Sequence, residues 1–572
     1  MYKANNEHRQ YPLMSQLDSL SEKRREELEE SWAGTFYREF FCLIDEKVFD
    51  VLYSDKPSRP NTPVNVLVAF ETLKAGLGYS DNRMYATYNY DIQIRFALGY
   101  HNLGEGEFEL RTIYNFRRRL SEYMQETGIN LIEKSFEQIT DEQMQAFQLK
   151  TGNLRMDSTQ IASNIREMSR LQLLVEVLQR VHRMLGEQDQ DYYQNEFEPY
   201  LRGTSGQYVY NIKGEKAVDH LQPIGKLMYR LVQELSNNYG QEPTYQMLVR
   251  VFQEHFTTRD NDDPRPKDGK ELSAGSLQSP DDQDATYRCK RNKYYRGYVA
   301  NVTETCDPDN DFQLINKVQV EPNTTEDTDM LIDALPNLKE RTDVEKMNVD
   351  GGFGSAAVDE VTRKAKVELI QTAIRGRKPA KEKLGLEDFD LNIDEDGKPQ
   401  EVSCPYGQRV AVQPGRSGRR YLAYFDRTIC NECPLVRQCP TKPLKRNTRQ
   451  VLHFSQEEIG LALRRKLWAE VRGKKQNLRA AVESTVRSVK HPFRQGKLPV
   501  RGKPRVSMMV IASAAMTNIR RIQRYEKRKA YQAKTNQKHT GANGEDIFAF
   551  TWDFVNRVIF GKFDFKSTVA GL

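Results

Sequence analysis

The sequence has no apolar run long enough to span a bilayer, which excludes a protein anchored by membrane helices. Its start, MYKANNEHRQ, lacks the apolar core of a secretion signal, so a cytoplasmic protein is expected. Cysteine is sparse, seven in 572 residues, and this rules out a disulfide-built scaffold. No segment repeats at a fixed period, which argues against a solenoid or propeller. Hydrophobic residues make up only 38% of the chain against 29% charged, but they recur at regular spacings, so the chain reads as folded and not disordered. Its length suits roughly three or four structural units.

The charge that is present is unevenly spread. The net charge is only +6, and acidic stretches such as DNDD and SPDDQD gather near residues 260–284. From Arg375 to Arg524 come RGRKPAK, GRSGRR, PLKRNTR, RGKKQNLR, RGKPR and NIRRIQR. One such block reads as a solvated face. Many in one part of the chain predict a surface for a polyanion, bound through phosphates and weakened by salt.

Helical patterns dominate residues 1–145. Ser21 is a cap for LSEKRREELEESWAGTFYREFF, and Val66, Phe70 and Leu73 share one face of the next helix. Ser80 and Thr112 are caps for two more. The last, IYNFRRRLSEYM, sets Arg117, Arg118 and Arg119 among aromatics, and short helices joined by glycine turns predict a DNA-binding N-terminal domain; an ordinary helical bundle with exposed arginines is the alternative.

Residues 147–165, FQLKTGNLRMDSTQIASNI, predict a strand or hairpin. Leu171, Leu174, Leu178, Val181 and Leu185 then mark an amphipathic helix, with two further helices within 216–257 and a polar loop after them. YYRGYVANVTETC and FQLINKVQVEP alternate like hairpin strands around DPDND. A helix near Asp327–Leu338, the strand VEKMNVD, a helix near 355–366 and the strand KVELIQ follow. This order predicts a mixed α/β core from 147–165, 286–375 and 455–530. A helical insertion at 166–285 and a basic, cysteine-rich insertion at 376–450 interrupt it, and residues 531–572 form a tail.

Three acids stand at element edges: Asp157 in LRMDSTQ, Asp350 ending MNVD, and Glu483 in RAAVESTVRSVKHPF. Helical steps of four and seven put Arg479, Glu483 and Lys490 in one polar stripe, with Arg487 also on it. Leu478, Val482, Val486 and Val489 form the apolar stripe beside them. Singly, each acid has a local explanation: a turn at Asp350-Gly351, a backbone cap at Asp157, an exposed ion pair at Glu483. Gathered by an α/β core, they form an oxygen-rich pocket suited to hard Mg²⁺ ions, a pair of which supports in-line displacement at phosphorus.

These motifs resemble those of the DDE transposases of bacterial insertion sequences. In one large branch the third acid lies in a helix reading Tyr, two residues, Arg, three residues, Glu, six residues, Lys. Arg479, Glu483 and Lys490 fit that spacing, while Gln476 stands at the tyrosine position. Asp157-Ser158-Thr159 is similar to the family's first acid motif, and Asp350-Gly351-Gly352-Phe353 to its second. Asn323 and Asp329 resemble a polar pair found between them. The resemblance spans most of residues 60–520. It implies a ribonuclease-H-like mixed-sheet core, and two Mg²⁺ ions, replaceable by Mn²⁺, on Asp157, Asp350 and Glu483. The implied partner is double-stranded DNA, both terminal inverted repeats and target, bound by a homodimer or larger synaptic assembly at the bacterial nucleoid. Cleavage would free a 3′ hydroxyl that attacks target DNA, with Arg479 and Lys490 on phosphates near the cut. A catalytically inactive DNA-binding repressor and a nuclease of the same fold without strand transfer are the alternatives.

Cys404, Cys430, Cys433 and Cys439 lie in SCPYGQ and TICNECPLVRQCP. A Cys-x-x-Cys pair, a third cysteine six residues on and an upstream Cys-Pro suit a closed, structural Zn²⁺ site; ordinary buried thiols are the alternative. Cys42, Cys289 and Cys306 are scattered and read as packing residues.

Overall fold

The computed structural model describes residues 2–540 apart from 11, 55, 57–59, 211, 259–262, 291, 375–381, 395, 416–419, 445–447 and 474–477. Gln476, the RGRKPAK block, parts of three other basic blocks and the tail beyond 540 lie outside the described residues. No helix among the described residues is long and apolar enough to cross a membrane. The chain divides into two compact units. One comprises Met1–Leu149, Pro308–Asn316 and the chain from Ile511 onward; the other comprises Lys150–Asp307 and Lys317–Val510.

The first unit has a helical core. The helix Val64–Leu77 is buried on nearly every side, which explains why its apolar residues extend beyond one stripe. Gly78, at φ +67°, ends it in the left-handed conformation that a Cβ would strain. The portion of helix Lys503–Thr540 from Ile511 onward packs here. Met516 lies so close to Gly76 that an added Cβ would meet its side chain at 2.0 Å. Asn518 clasps the backbone of Ile315, accepting from its N–H at 2.9 Å and donating to its carbonyl at 2.8 Å.

The second unit is built on a mixed sheet. Its strands are β1 (Asn153–Ala162), β2 (Thr286–Lys290), β3 (Lys293–Thr305), β4 (Ile315–Pro322, which belongs to this unit from Lys317), β5 (Lys346–Val349) and β6 (Glu368–Gln371). They run in the order β2-β3-β1-β5-β6, and β4 also pairs with β3. β1 is antiparallel to β3 and parallel to β5, which is parallel to β6. The 147–165 segment thus yields one strand, and the 294–322 segment two. β2 has no counterpart in the sequence pattern, because TYRCK lacks a clean alternation. Leu154, Met156, Met347 and Val349 pack against Leu331, Leu335 and Leu338 of helix Asp327–Arg341 and Val358 of helix Ala356–Lys364. This apolar layer fixes the central strands, each buried leucine-sized side chain contributing about 1.5–3 kcal/mol.

Between β1 and β2 lies a helical lobe. Leu171, Leu174, Leu178 and Val181 meet Ile224, Leu231, Leu248 and Val251 from helices Leu221–Glu234 and Pro243–His255. After β6 comes a second, antiparallel sheet where the sequence suggested only a cysteine-rich insertion. Its strands are β7 (Asp390–Ile393), β8 (Pro399–Ser403), β9 (Arg409–Pro414), β10 (Arg420–Asp426), β11 (Lys442–Pro443) and β12 (Arg449–Ser455). They run β11-β12-β10-β9-β8-β7. The period-two alternation in RVAVQP, RYLAYFD and RQVLHFS is the signal for it.

Candidate active site

The site is framed by β1 and β5. Their parallel register pairs Arg155 with Asn348, and carrying it on two residues sets Asp157 opposite Asp350. Neighbouring strands lie about 4.8 Å apart, so the backbone ladder alone brings the two aspartates together. Asp350 stands where β5 ends, its carboxylate accepting from the Gly352 N–H at 2.6 Å. Glu483 comes from the first turn of helix Val482–Lys490.

One guanidinium joins the three. Arg479 Nη2 donates to Asp157 Oδ1 at 3.0 Å and lies 4.0 Å from Asp350 Oδ2, while Nη1 lies 3.6 Å from Glu483 Oε1. Exposure rises across the group, from 12% for the Asp157 side chain through 34% for Asp350 to 67% for Glu483, so the site opens to solvent on the helix side. Burial pushes the Asp157 carboxyl above its usual range; Arg479 opposes the shift and neighbouring Asp350 adds to it. Arg479 Nε is buried without a hydrogen-bond partner among the described residues, so this cation is incompletely satisfied where it sits. Among the described residues no three Cys, His, Asp or Glu side chains cluster tightly enough to hold an ion. At this site the guanidinium stands among the carboxylates.

The expectation of one continuous helical stripe needs correcting. The helix starts at Val482, and Arg479 sits in the preceding turn, where its carbonyl accepts from the Val482 N–H at 2.9 Å. The buried stripe is Val482, Thr485 and Val489, with Val486 only half-buried. Lys490 is half-buried and donates to Thr159 Oγ1 at 3.2 Å and to the Gln160 carbonyl at 2.9 Å, so it is fixed on the strand that carries Asp157. Burial lowers its ammonium below the usual lysine value. Arg487 is exposed on the same helix.

A buried network that sequence patterns do not announce positions the helix. Glu304 on β3 is fully buried and faces Arg155 of β1 directly across the ladder. Arg155 Nε donates to Glu304 at 2.6 Å and its Nη1 to the Leu478 carbonyl at 2.7 Å. Thr485 Oγ1 donates to both Glu304 oxygens at 2.8 Å. The turn holding Arg479 and the helix holding Glu483 are thus tied to the two central strands. Charged residues inside otherwise apolar strands, LRM and VTETC, are the one trace this network leaves in the chain.

Other residues singled out from sequence lie elsewhere. Asn323 is fully buried, donating to the Thr286 carbonyl at 3.2 Å, and Asp329 is exposed on its helix. The carboxylate that reaches β1 is Asp327, which accepts from Ser158 Oγ at 2.6 Å. In the N-terminal unit Arg117 is buried against Glu71 and Asp81, with Lys74 bridging the same two carboxylates at 3.2 and 2.9 Å. It is therefore a core residue, whereas Arg118 is exposed and pairs with Glu122, and Arg119 lies over the Tyr53 ring. The four cysteines line one pocket beside the second sheet.

Residues 403–523 match a family model described as a transposase DDE domain. That stretch includes Arg479, Glu483, Lys490 and the four clustered cysteines; Asp157 and Asp350 precede it. No curated protein and no solved structure matches the chain. The match supports a DDE transposase, a family whose domains use divalent metal ions and whose work involves binding DNA.

Proposed function

We propose that the chain is a transposase that cuts DNA at the ends of an insertion sequence and joins the freed 3′ ends to target DNA. One observation carries the reading: among the described residues, three carboxylates from separate elements converge on a single cation, leaving an excess of negative charge beside solvent. The sheet order supports a ribonuclease-H-like core, with β1 central between an antiparallel β3 and a parallel β5.

Asp157, Asp350 and Glu483 would hold two Mg²⁺ ions, with Mn²⁺ as a substitute; oxygen-only donors suit both. Bound there, the ions would supply activation of an attacking oxygen and charge stabilisation of the departing one. Arg479 holds the three acids together beforehand, and its planar fork then suits a phosphate once the carboxylates have other cations. Lys490, held on β1, adds positive charge beside the same strand, Arg487 and Arg118 offer exposed cations to the DNA backbone, and half-buried Arg119, stacked on Tyr53, adds a third. Arg155, Glu304 and Thr485 keep the third acid turned toward the first two. A homodimer or larger assembly at the nucleoid would bring two element ends together on the target.

The test uses duplexes carrying the inverted repeats that flank the gene. Asp157→Ala should lower Mg²⁺-dependent cleavage on the order of 10³-fold or more while binding stays near the parent level. Cleavage at the parent rate would overturn the assignment. Cut but never joined products would leave a nuclease without strand transfer.

A further inference from the structure

The geometry points to a closed, tetrathiolate zinc site formed by Cys404, Cys430, Cys433 and Cys439. All four line one pocket, together with apolar Leu384, Phe425 and Leu435. None forms a disulfide, and each is half-buried while most of its chain neighbours are exposed. From Arg427 to Pro440 the inward-facing positions are Cys430, Cys433, Leu435 and Cys439 alone. The inward face of this segment is thus mostly cysteine, and Cys404, Cys430 and Cys439 gather at the edge of the second sheet's apolar core.

The backbone is shaped to present sulfur. Cys404 opens the β8–β9 turn, where its N–H donates to the Gln408 carbonyl and its carbonyl accepts from the Gly407 N–H, both at 2.9 Å. Gly407 takes φ +92°, which favours glycine there. Cys430 lies in the short helix Arg427–Glu432, the N–H of Cys433 reaches the Cys430 carbonyl as that helix ends, and the N–H of Val436 reaches the Cys433 carbonyl in the turn that follows.

Donors already aim at two of the sulfurs. The Gln408 N–H meets Cys404 Sγ at 3.3 Å and its side-chain amide meets Cys430 Sγ at 3.4 Å. Thr441 Oγ1, whose hydrogen goes to Gln450 Oε1 at 2.7 Å, lies 3.3 Å from Cys439 Sγ. Gln408 is itself anchored, its Oε1 accepting from the Asp426 N–H at 3.0 Å. Outer groups of this kind orient ligands and stabilise thiolates. The sulfurs stand wider apart than a bound ion would hold them, so binding has to pull the exposed turns inward. Four thiolates complete a tetrahedron and leave no open position, so the ion would staple the small second sheet and do no chemistry.

Full-length protein purified without added chelator should contain about one zinc ion per chain by mass spectrometry. A Cys430→Ser, Cys433→Ser double variant should lose nearly all of it, while Cys289→Ser, an exposed cysteine elsewhere, and Asp157→Ala should keep it. Should the double variant not fold, mercurial titration of the parent decides: zinc should be released as these four thiols react. Metal-free parent protein, an unchanged zinc content in the double variant, or release uncoupled from thiol modification would overturn the assignment. None of these outcomes depends on whether the protein cleaves DNA.

Discussion

Arg117 and Arg479 are both ringed by carboxylates, but the charges around them add up differently. At Arg117 two cations, the second being Lys74, meet Glu71 and Asp81, and only Asp81 keeps appreciable exposure, at 31%. At Arg479, among the described residues, one cation meets three carboxylates on a slope from buried Asp157 to exposed Glu483. A balanced, enclosed cluster needs nothing from solution and serves the fold. An open cluster with too few cations attracts more of them, and among the described residues it also leaves Arg479 Nε without a partner.

Arg117→Met should show the largest effect of breaking this contrast. It leaves buried Glu71 and half-buried Asp81 short of a cation, and denaturant unfolding should report a loss of about 3–5 kcal/mol. The same variant should change the acid response. Burial works to raise the Asp81 carboxyl, but the hydrogen bonds and charge of Arg117, with Lys74, hold it below the usual aspartate range. A lowered folded-state value means stability present above the ordinary value near pH 4 and lost as pH falls below it. That acid limb should shrink in Arg117→Met.

A smaller effect is expected from Arg479→Met. With the guanidinium gone, divalent ions no longer compete with it for the three acids, so Mn²⁺ should raise the Tm of this variant more than that of the parent. A tenfold gain in affinity corresponds to about 1.4 kcal/mol. Mn²⁺ should act on Arg117→Met as it does on the parent. Equal Mn²⁺ responses in Arg479→Met and the parent would erase the distinction between the two clusters. The smallest change belongs to Arg118→Ala, whose exposed pair with Glu122 contributes only about 0.3–0.5 kcal/mol. Its mark should appear in DNA binding, as a salt slope lower by about one.

Periodicity reveals much of the fold. Alternation marks the strands around residues 294–322, and the leucine spacing from Leu171 to Leu185 marks the first helix of the inserted lobe. The second sheet is obscured because its short alternating strands are separated by basic and cysteine-bearing turns, which dominate a reading of composition. At the candidate site, the spacing of Arg479, Glu483 and Lys490 is visible in the chain, but where the helix begins is not. Leu478 to Ala481 have helical spacing and form a turn because Arg155 holds the Leu478 carbonyl. Arg117 shows the same limit: sequence displays a triple arginine, and only tertiary packing decides which one is enclosed.

The β1–β5 pairing has a consequence for how such a chain can change over time. Because Asp157 and Asp350 face each other on neighbouring strands, two residues past the Arg155–Asn348 pair, the distance between them is measured by the ladder and not by the length of polypeptide that connects them. The helical lobe inserted after β1 can therefore be enlarged, trimmed or exchanged without altering that spacing, which makes this the natural slot for acquiring new parts.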